Sequence, residues 1–418
     1  MAQLSDDCFA HGGRLMRLDE ALALLEARID TIIEVEQVAL SEALGRVLRE
    51  DVVSAVSVPA ENNSAVDGYA VHFADLDPEA ETRLPITGRA AAGHPLGRSA
   101  GRGEAIRIFT GALMPEGPDT VMMQEDCSLD GEAVVIRPGI KRGSNRRLAG
   151  EDITAGETVL RAGQRLRPQD VGLAAAAGLT ELMVSRPLRV ALFSTGDELQ
   201  EPGQVPRPGC IYDSNRYTVG ALLRGLGCRV SDLGILPDRR DSVTAALGEA
   251  AVDHDLLLTS GGVSTGEEDH VKAAVESQGK LHAWKLAIKP GRPIALGQVG
   301  LTPFVGLPGN PVASMVTFLA VVRPMILRLL GGRVEPPHRF AVTADFDHKK
   351  KRDRREWVRA RLSLGSDGRL IARKFPREGA GILSSLVEAD GLVELPEDLT
   401  RLESGAIVEF LPFSEVTP

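Results

Sequence analysis

Between residues 186 and 279 the chain runs through six segments of alternating texture, and this rhythm constrains its fold more than any other feature of the sequence. Short apolar runs ("LRVALFST", "RVSDLGIL", "DLLLTSGG") alternate with longer segments of helical period ("NRYTVGALLRGLG", "SVTAALGEAAVD", "EDHVKAAVESQG"). Strands spaced by helices of this length predict a doubly wound α/β sheet with parallel strands, because a parallel pair needs a crossover that a tight turn cannot supply. A further helix is expected from "GNPVASMVTFLAVV", with Asn310 as its cap and Pro311 in its first turn. The α/β domain is placed at 186–332.

The flanks have other textures. Apolar residues recur at helical spacing over 18–40, and "SEALGRVLRED" repeats the pattern. From 58 to 149 the chain becomes a series of strand-like runs, "LPITGRA", "GEAIRIFTG", "DTVMMQED" and "EAVVIRPG", separated by Gly and Pro. "AGEDITAGETVLRAGQRLRPQDVGLAAAAGL" then reads as helical again. The expectation is a discontinuous helical domain (15–57 and 150–185) interrupted by an inserted β-rich domain (58–149). Beyond the linker "GGRVEPPHR", five short strand-like runs predict a small β-barrel over 336–418.

A length of 418 residues is too great for one ordinary domain, in keeping with this division. The net charge of −10 argues against non-specific nucleic-acid binding. One local exception, "KKKRDRREWVRAR" (349–361), reads either as a solvated face or as a local anion site. Cys8, Cys127, Cys210 and Cys228 show no metal-ligand spacing and no disulfide framework, which fits a reducing cytoplasm. The longest apolar stretch, "MVTFLAVVRPMILRLL", is interrupted by Arg323 and Pro324, so no membrane span is expected.

In an open α/β sheet ligands bind beyond the carboxyl ends of the strands. "ALFSTGDEL" carries Ser194, Thr195, Gly196, Asp197 and Glu198 out of one strand. "LLLTSGGVSTGEED" carries Ser260, Gly261, Gly262, Ser264, Glu267, Glu268 and Asp269 out of another, and Asp238 follows a third. Taken singly, each acid is an ordinary complement to a helix N-terminus. Converging strand ends that offer hydroxyls, glycines and surplus carboxylates together suit Mg²⁺-assisted chemistry at a phosphate. In "KLAIKPGRP" (285–293), Lys289 and Arg292 flank a Pro290-Gly291 turn and could face one anion. "GLPGNPVAS" (306–314) sets a turn before a helix N-terminus. Asp67-Gly68 alone reads as a hairpin turn, and Thr110-Gly111 as a strand end.

The ordered motifs "NSAVDGYA", "TGALMPEGPDTVMMQED", "AGEDI", "STGDEL", "YDSN", "TSGGVSTGEEDHVK", "KLAIKPGRP" and "GLPGNPVAS" closely resemble the MoeA family of molybdenum insertases, which includes the C-terminal part of gephyrin. The resemblance implies a homodimer whose site is shared between subunits, with the inserted region of one approaching the α/β domain of the other. It also implies Mg²⁺ or a similar cation, insertion of molybdate into adenylylated molybdopterin, and release of AMP. A molybdopterin adenylyltransferase, molybdoenzymes or their chaperones are the partners implied. Adenylyltransfer itself and non-catalytic scaffolding are the alternative functions.

Position by position, the resemblance assigns functional roles to Asp67, Thr110, Asp152, Glu198, Asp238 and Asp269, with Glu198, Asp238 and Asp269 as the cation set. Lys285, Lys289, Pro308 and Pro311 match the family as well, and Arg359, Ser384 and Ser385 match loosely as an oxyanion pocket. Three departures stand out: Val66 in place of Met, "AENNS" in place of F-D-N-S, and Arg292 where K-P-G-K-P is common. The last exchanges a point charge for a planar fork.

Overall fold

The computed structural model describes residues 15–261 and 270–417. Its central sheet runs in the order Arg229–Leu236, Arg189–Thr195, Leu256–Ser260, Thr302–Leu307, Pro293–Val299, Gly279–Lys285. The first four strands are parallel, as expected. The last two are antiparallel, so the sheet is mixed. Gly300 takes φ +59° between Val299 and Thr302, and a hairpin there needs no crossover helix.

Helices cover both faces. On one, Val243, Leu247, Val271 and Val275 pack against Phe193 and Phe304. On the other, Val219 and Leu223 join the long helix Pro311–Leu329, whose Val312, Val316, Val321, Ile326 and Leu329 are buried in the same cluster. That helix is long and apolar enough to cross a membrane by composition, but here its apolar surface is consumed by the core.

The expected helical domain is less helical than its sequence pattern suggests. Helix Leu18–Arg28 stops at Ile29, where β-branched residues begin to crowd the sequence, and the chain continues as strand Val35–Ala39. "SEALGRVLRED" is not a helix either, because Gly45 sits at φ +75° and the chain then bridges from Val47 to Arg165 and from Leu48 to Val184. Within the later segment only Pro168–Ala176 is α-helical. The two segments are joined by strand pairing: Val35–Ala39 with Glu181–Ser185, and Val52–Val53 with Thr158–Leu160.

Between these flanks, Thr120–Met123, Gly68–Val71, Ala105–Ile108, Thr82–Ala90, Ala133–Ile136 and Cys127–Asp130 form a six-stranded sheet. Asp67-Gly68 is not a hairpin turn. Gly68 opens a strand so close to its neighbour that an added Cβ would lie 1.7 Å from the Met122 carbonyl oxygen.

The C-terminal strands Phe340–Ala344, Arg355–Leu364, Leu370–Lys374, Gly391–Leu395 and Ile407–Pro412 close on one another into a barrel around Val358, Ala360, Val393 and Phe410. One piece of the α/β domain is spliced onto it: Ile288–Lys289 pairs in parallel with Arg355 and Glu356.

Candidate active-site cleft

Where the barrel meets the carboxyl ends of the sheet there is a cleft of about 730 Å³. Its α/β side is made largely of backbone turns. Gly196, at φ +146°, follows strand Arg189–Thr195, and an added Cβ would lie 2.5 Å from the Glu198 carboxylate. Gly261, at φ +96°, follows strand Leu256–Ser260, donates its N–H to the Leu307 carbonyl and has Gly309 packed against it. Asn215 of the "YDSN" segment links the end of strand Leu256–Ser260 to Gly309, donating from Nδ2 to Ser260 Oγ (2.9 Å) and to the Gly309 carbonyl (2.6 Å). Next to it in sequence, the buried Arg216 is locked by Asp213, Asp232 and Glu201.

Beneath the turns, the hydroxyls of Ser194, Thr195 and Thr259 are buried with no hydrogen-bond partner. Unpaired buried hydroxyls are rare in native structures, and these three gather at the carboxyl ends of two paired strands. The Pro290-Gly291 turn supplies Lys289 and Arg292 to the cleft as expected. Gly291, at φ +98°, packs so tightly on the long helix that a Cβ would sit 2.2 Å from Thr317 Oγ1.

The barrel side is built from side chains. Arg359 is buried, its Nε–H has no partner, and Nη2 donates only a long bond (3.3 Å) to the Arg377 carbonyl. Burial pulls its pKa down, with Glu378 as a weak opposing influence. Glu356 Oε1 accepts from Lys289 Nζ (2.6 Å) and from His348 Nε2 (2.9 Å). Burial pushes the Glu356 carboxyl up, but those two hydrogen bonds outweigh it and hold the pKa below the usual range. Lys374 Nζ reaches His348 Nδ1 (3.1 Å) and the Glu378 carboxylate. In all, Lys285, Lys289, Arg292, Arg359 and Lys374 face the cleft with three carboxylates, Glu198, Glu356 and Glu378. An acidic protein thus presents a cleft with a surplus of cations, suited to a multiply charged oxyanion.

Three family models match stretches of the chain: the MoeA N-terminal region (domain I and II) at residues 16–178, a probable molybdopterin binding domain at 191–328, and the MoeA C-terminal region (domain IV) at 341–413. A molybdopterin molybdenumtransferase of Haemophilus influenzae is 37% identical over 405 residues, covering 96% of this chain and 100% of that one. The chain belongs to the MoeA family of molybdopterin molybdenumtransferases. Molybdopterin molybdenumtransferase 2 of Mycobacterium tuberculosis is 39% identical, covering 88% of this chain and 92% of the relative. The crystal structure of the molybdopterin biosynthesis MoeA protein from Pyrococcus horikoshii OT3 has a TM-score of 0.81 at 29% identity, covering 96% of this chain and 100% of its own.

Of the residues expected from the MoeA pattern, Glu198, Gly261, Lys285, Lys289, Arg292, Pro308 and Arg359 line the cleft. Ser194, Thr195 and Ser260 end the strands Arg189–Thr195 and Leu256–Ser260, Gly196 follows the first of them, and none of the four lines the cleft; Pro311 opens the helix after Pro308. Gly262, Ser264 and Asp269, with Glu267 and Glu268, fall outside the described residues. Asp238 follows strand Arg229–Leu236 and is not among the residues lining the cleft. Among the described residues no three His, Cys, Asp or Glu side chains converge to hold a metal ion.

Ser384 and Ser385 are not among the residues that line the cleft. Both lie on helix Ser384–Glu388, away from the lining, with Ser384 exposed and the buried Ser385 donating Oγ to the Ile382 carbonyl (2.5 Å). Asn310 occupies the N-cap position but makes no side-chain cap, and it lines the cleft instead.

Asp67, Thr110 and Asp152 lie outside this cleft. Asp67 Oδ1 accepts from both the backbone N–H and the Oγ of Thr110 (2.8 Å each). These two bonds and the nearby Arg107 hold its carboxyl below the ordinary range. Beside the pair, Arg89 and Arg107 stack on Phe109, and Arg107 also on Tyr69. The exposed Asp152 donates its backbone N–H to the Val58 carbonyl.

The sequence reading missed His348, Glu356, Lys374 and Glu378. Of the basic run 349–361, Arg359 reaches the cleft, while Lys350 is buried among the carbonyls of Pro396, Glu397 and Leu399. Arg355 pairs with Asp19, Glu394 and Glu397. The run is therefore neither wholly solvated nor a single anion site.

Proposed function

We propose that the protein transfers molybdenum to molybdopterin in the cytoplasm, taking molybdate and the adenylylated pterin as substrates and releasing AMP. The observation that carries this reading is the unpaired Nε–H of buried Arg359, set in a cleft with Lys285, Lys289 and Arg292. A buried cation without a carboxylate is expensive unless an anion completes it, and a tetrahedral dianion or a phosphate has the acceptors to do so. The unpartnered hydroxyls of Ser194, Thr195 and Thr259 and the glycine turns above them suit a polar, flat ligand approaching the strand ends closely.

In this reading the lysines and arginines hold oxyanion and phosphate side by side. Attack of water on the phosphorus then expels AMP while the cleft cations stabilise the charge on the equatorial oxygens. Mg²⁺ would neutralise phosphate oxygens when bound. Of the three cleft carboxylates, Glu356 and Glu378 are paired with Lys289 and Lys374, so Glu198 would share it, with substrate phosphate and water as the other ligands. Asp67, Thr110 and Asp152 are proposed to complete the cleft of a partner subunit in a homodimer.

The test is AMP release from adenylylated molybdopterin, with and without molybdate and Mg²⁺, by the native chain and by Arg359→Met. Molybdate-dependent AMP release that the variant loses supports the reading. Binding of the pterin without AMP release by the native chain would leave the fold assignment standing and remove the activity.

A further inference from the structure

We propose that Lys374 is an anion-binding residue of the cleft, transferred from Glu378 to an entering oxyanion, and that His348 is its positioning residue. The inference deepens the proposed function and rests on it.

The hydrogen bonds decide the state of His348. A lysine ammonium has three donors and no acceptor, so at the Lys374 contact the imidazole Nδ1 must accept. Its proton therefore sits on Nε2 and is given to Glu356 Oε1. The neutral imidazole thus joins two lysines of different freedom. Lys289 is tied to Glu356, which is buried and also held by His348. Lys374 is tied to Glu378, whose side chain is 60% exposed.

An ion pair with so exposed a carboxylate is worth little, and a tetrahedral dianion outcompetes it at small cost. Lys374 lines the cleft, and Phe375, the next residue, donates its N–H to the Arg359 carbonyl, so the two cations share one wall. A ligand that fills the open donor of Arg359 is thus within the province of Lys374.

The experiment is equilibrium dialysis of molybdate against the full-length protein, as native chain and as Lys374→Met, Lys374→Arg, Glu378→Gln and His348→Gln. Sulfate is run alongside as a second tetrahedral dianion. Lys374→Met is expected to weaken binding roughly ten- to a hundredfold, with part regained by Lys374→Arg. Glu378→Gln, a change at an exposed carboxylate, tightens it. His348→Gln keeps a donor for Glu356 but displaces its acceptor oxygen from the Nδ1 position that meets Lys374, so binding of both anions weakens. If the native chain binds molybdate and neither Lys374→Met nor Glu378→Gln alters the affinity, the inference is overturned while the proposed function stands. Absence of molybdate binding by the native chain would remove both.

Discussion

The two sides of the cleft are made by opposite means. The α/β side is backbone: three turns in which glycine allows the chain to fold back on itself, with short hydroxyl side chains below. The barrel side is a mesh of long charged side chains, from Lys289 through Glu356 and His348 to Lys374 and Glu378, drawn from strands far apart in sequence. A turn-built surface is set by local geometry and fails as a whole when that geometry is broken. A mesh fails piecemeal, losing charge and affinity before it loses shape.

The largest effect is expected on the first side. Gly291→Ala places a methyl against Thr317 Oγ1 and the Ala313 carbonyl in a conformation that disfavours any side chain, and should cost about 3 kcal/mol in urea unfolding, with molybdate binding lost. On the barrel side, Arg359→Met should lower kcat/KM about a hundredfold and leave the midpoint of unfolding level or raised, since an unpaired buried cation has been removed. If it proves as destabilising as Gly291→Ala, the contrast between the two sides is wrong.

Asp255 lies at the opposite end of the strand that delivers Ser260 and is held by Arg186 and Arg189. Burial opposes its ionisation, but the arginine hydrogen bonds prevail and its pKa is depressed far below normal. Asp255→Asn should cost about 2 kcal/mol with kcat/KM unchanged. Because its folded pKa is the lower one, this contribution is present above the unfolded value near pH ~3.9 and is lost as pH falls through the folded value.

Glu356→Gln should destabilise by about 1–2 kcal/mol and raise the apparent Kd for molybdate several-fold by loosening Lys289. The Glu356 carboxyl is likewise depressed, so its share of stability is complete above about pH 4.3 and declines on acidification below it. The smallest change is Ser385→Ala, about 0.5–1 kcal/mol for one hydrogen bond to Ile382, with activity intact. A large loss of activity there would return the serine to the oxyanion site.

The same contrast explains what the sequence made legible. Strand and helix periodicity located three of the six α/β strands and all five barrel strands, while Gly279–Lys285, Pro293–Val299 and Thr302–Leu307 went unread; the turns could be found because a backbone turn is written in consecutive residues such as Thr195-Gly196 or Ser260-Gly261. Gly45 and the β-branched residues after Arg28 misled the helical reading, since apolar spacing outweighed breakers and branching there. His348, Glu356 and Lys374 left no such trace. Glu356 stands among eight basic residues of the run 349–361, and nothing in their order says which will be turned inward when the barrel closes. Nor does the sequence show that Ser385 turns its hydroxyl to the Ile382 carbonyl.

The splice of Ile288–Lys289 onto Arg355 and Glu356 has a mechanical consequence. It fastens the barrel to the α/β domain by main chain beside Lys289, and the Val312 N–H, given to the Ala380 carbonyl, makes a second main-chain tie two residues beyond Glu378. The charged wall is thus moored to the turn-built wall by backbone at both ends of its mesh, so the spacing of the two walls is set by hydrogen bonds that no side-chain substitution removes.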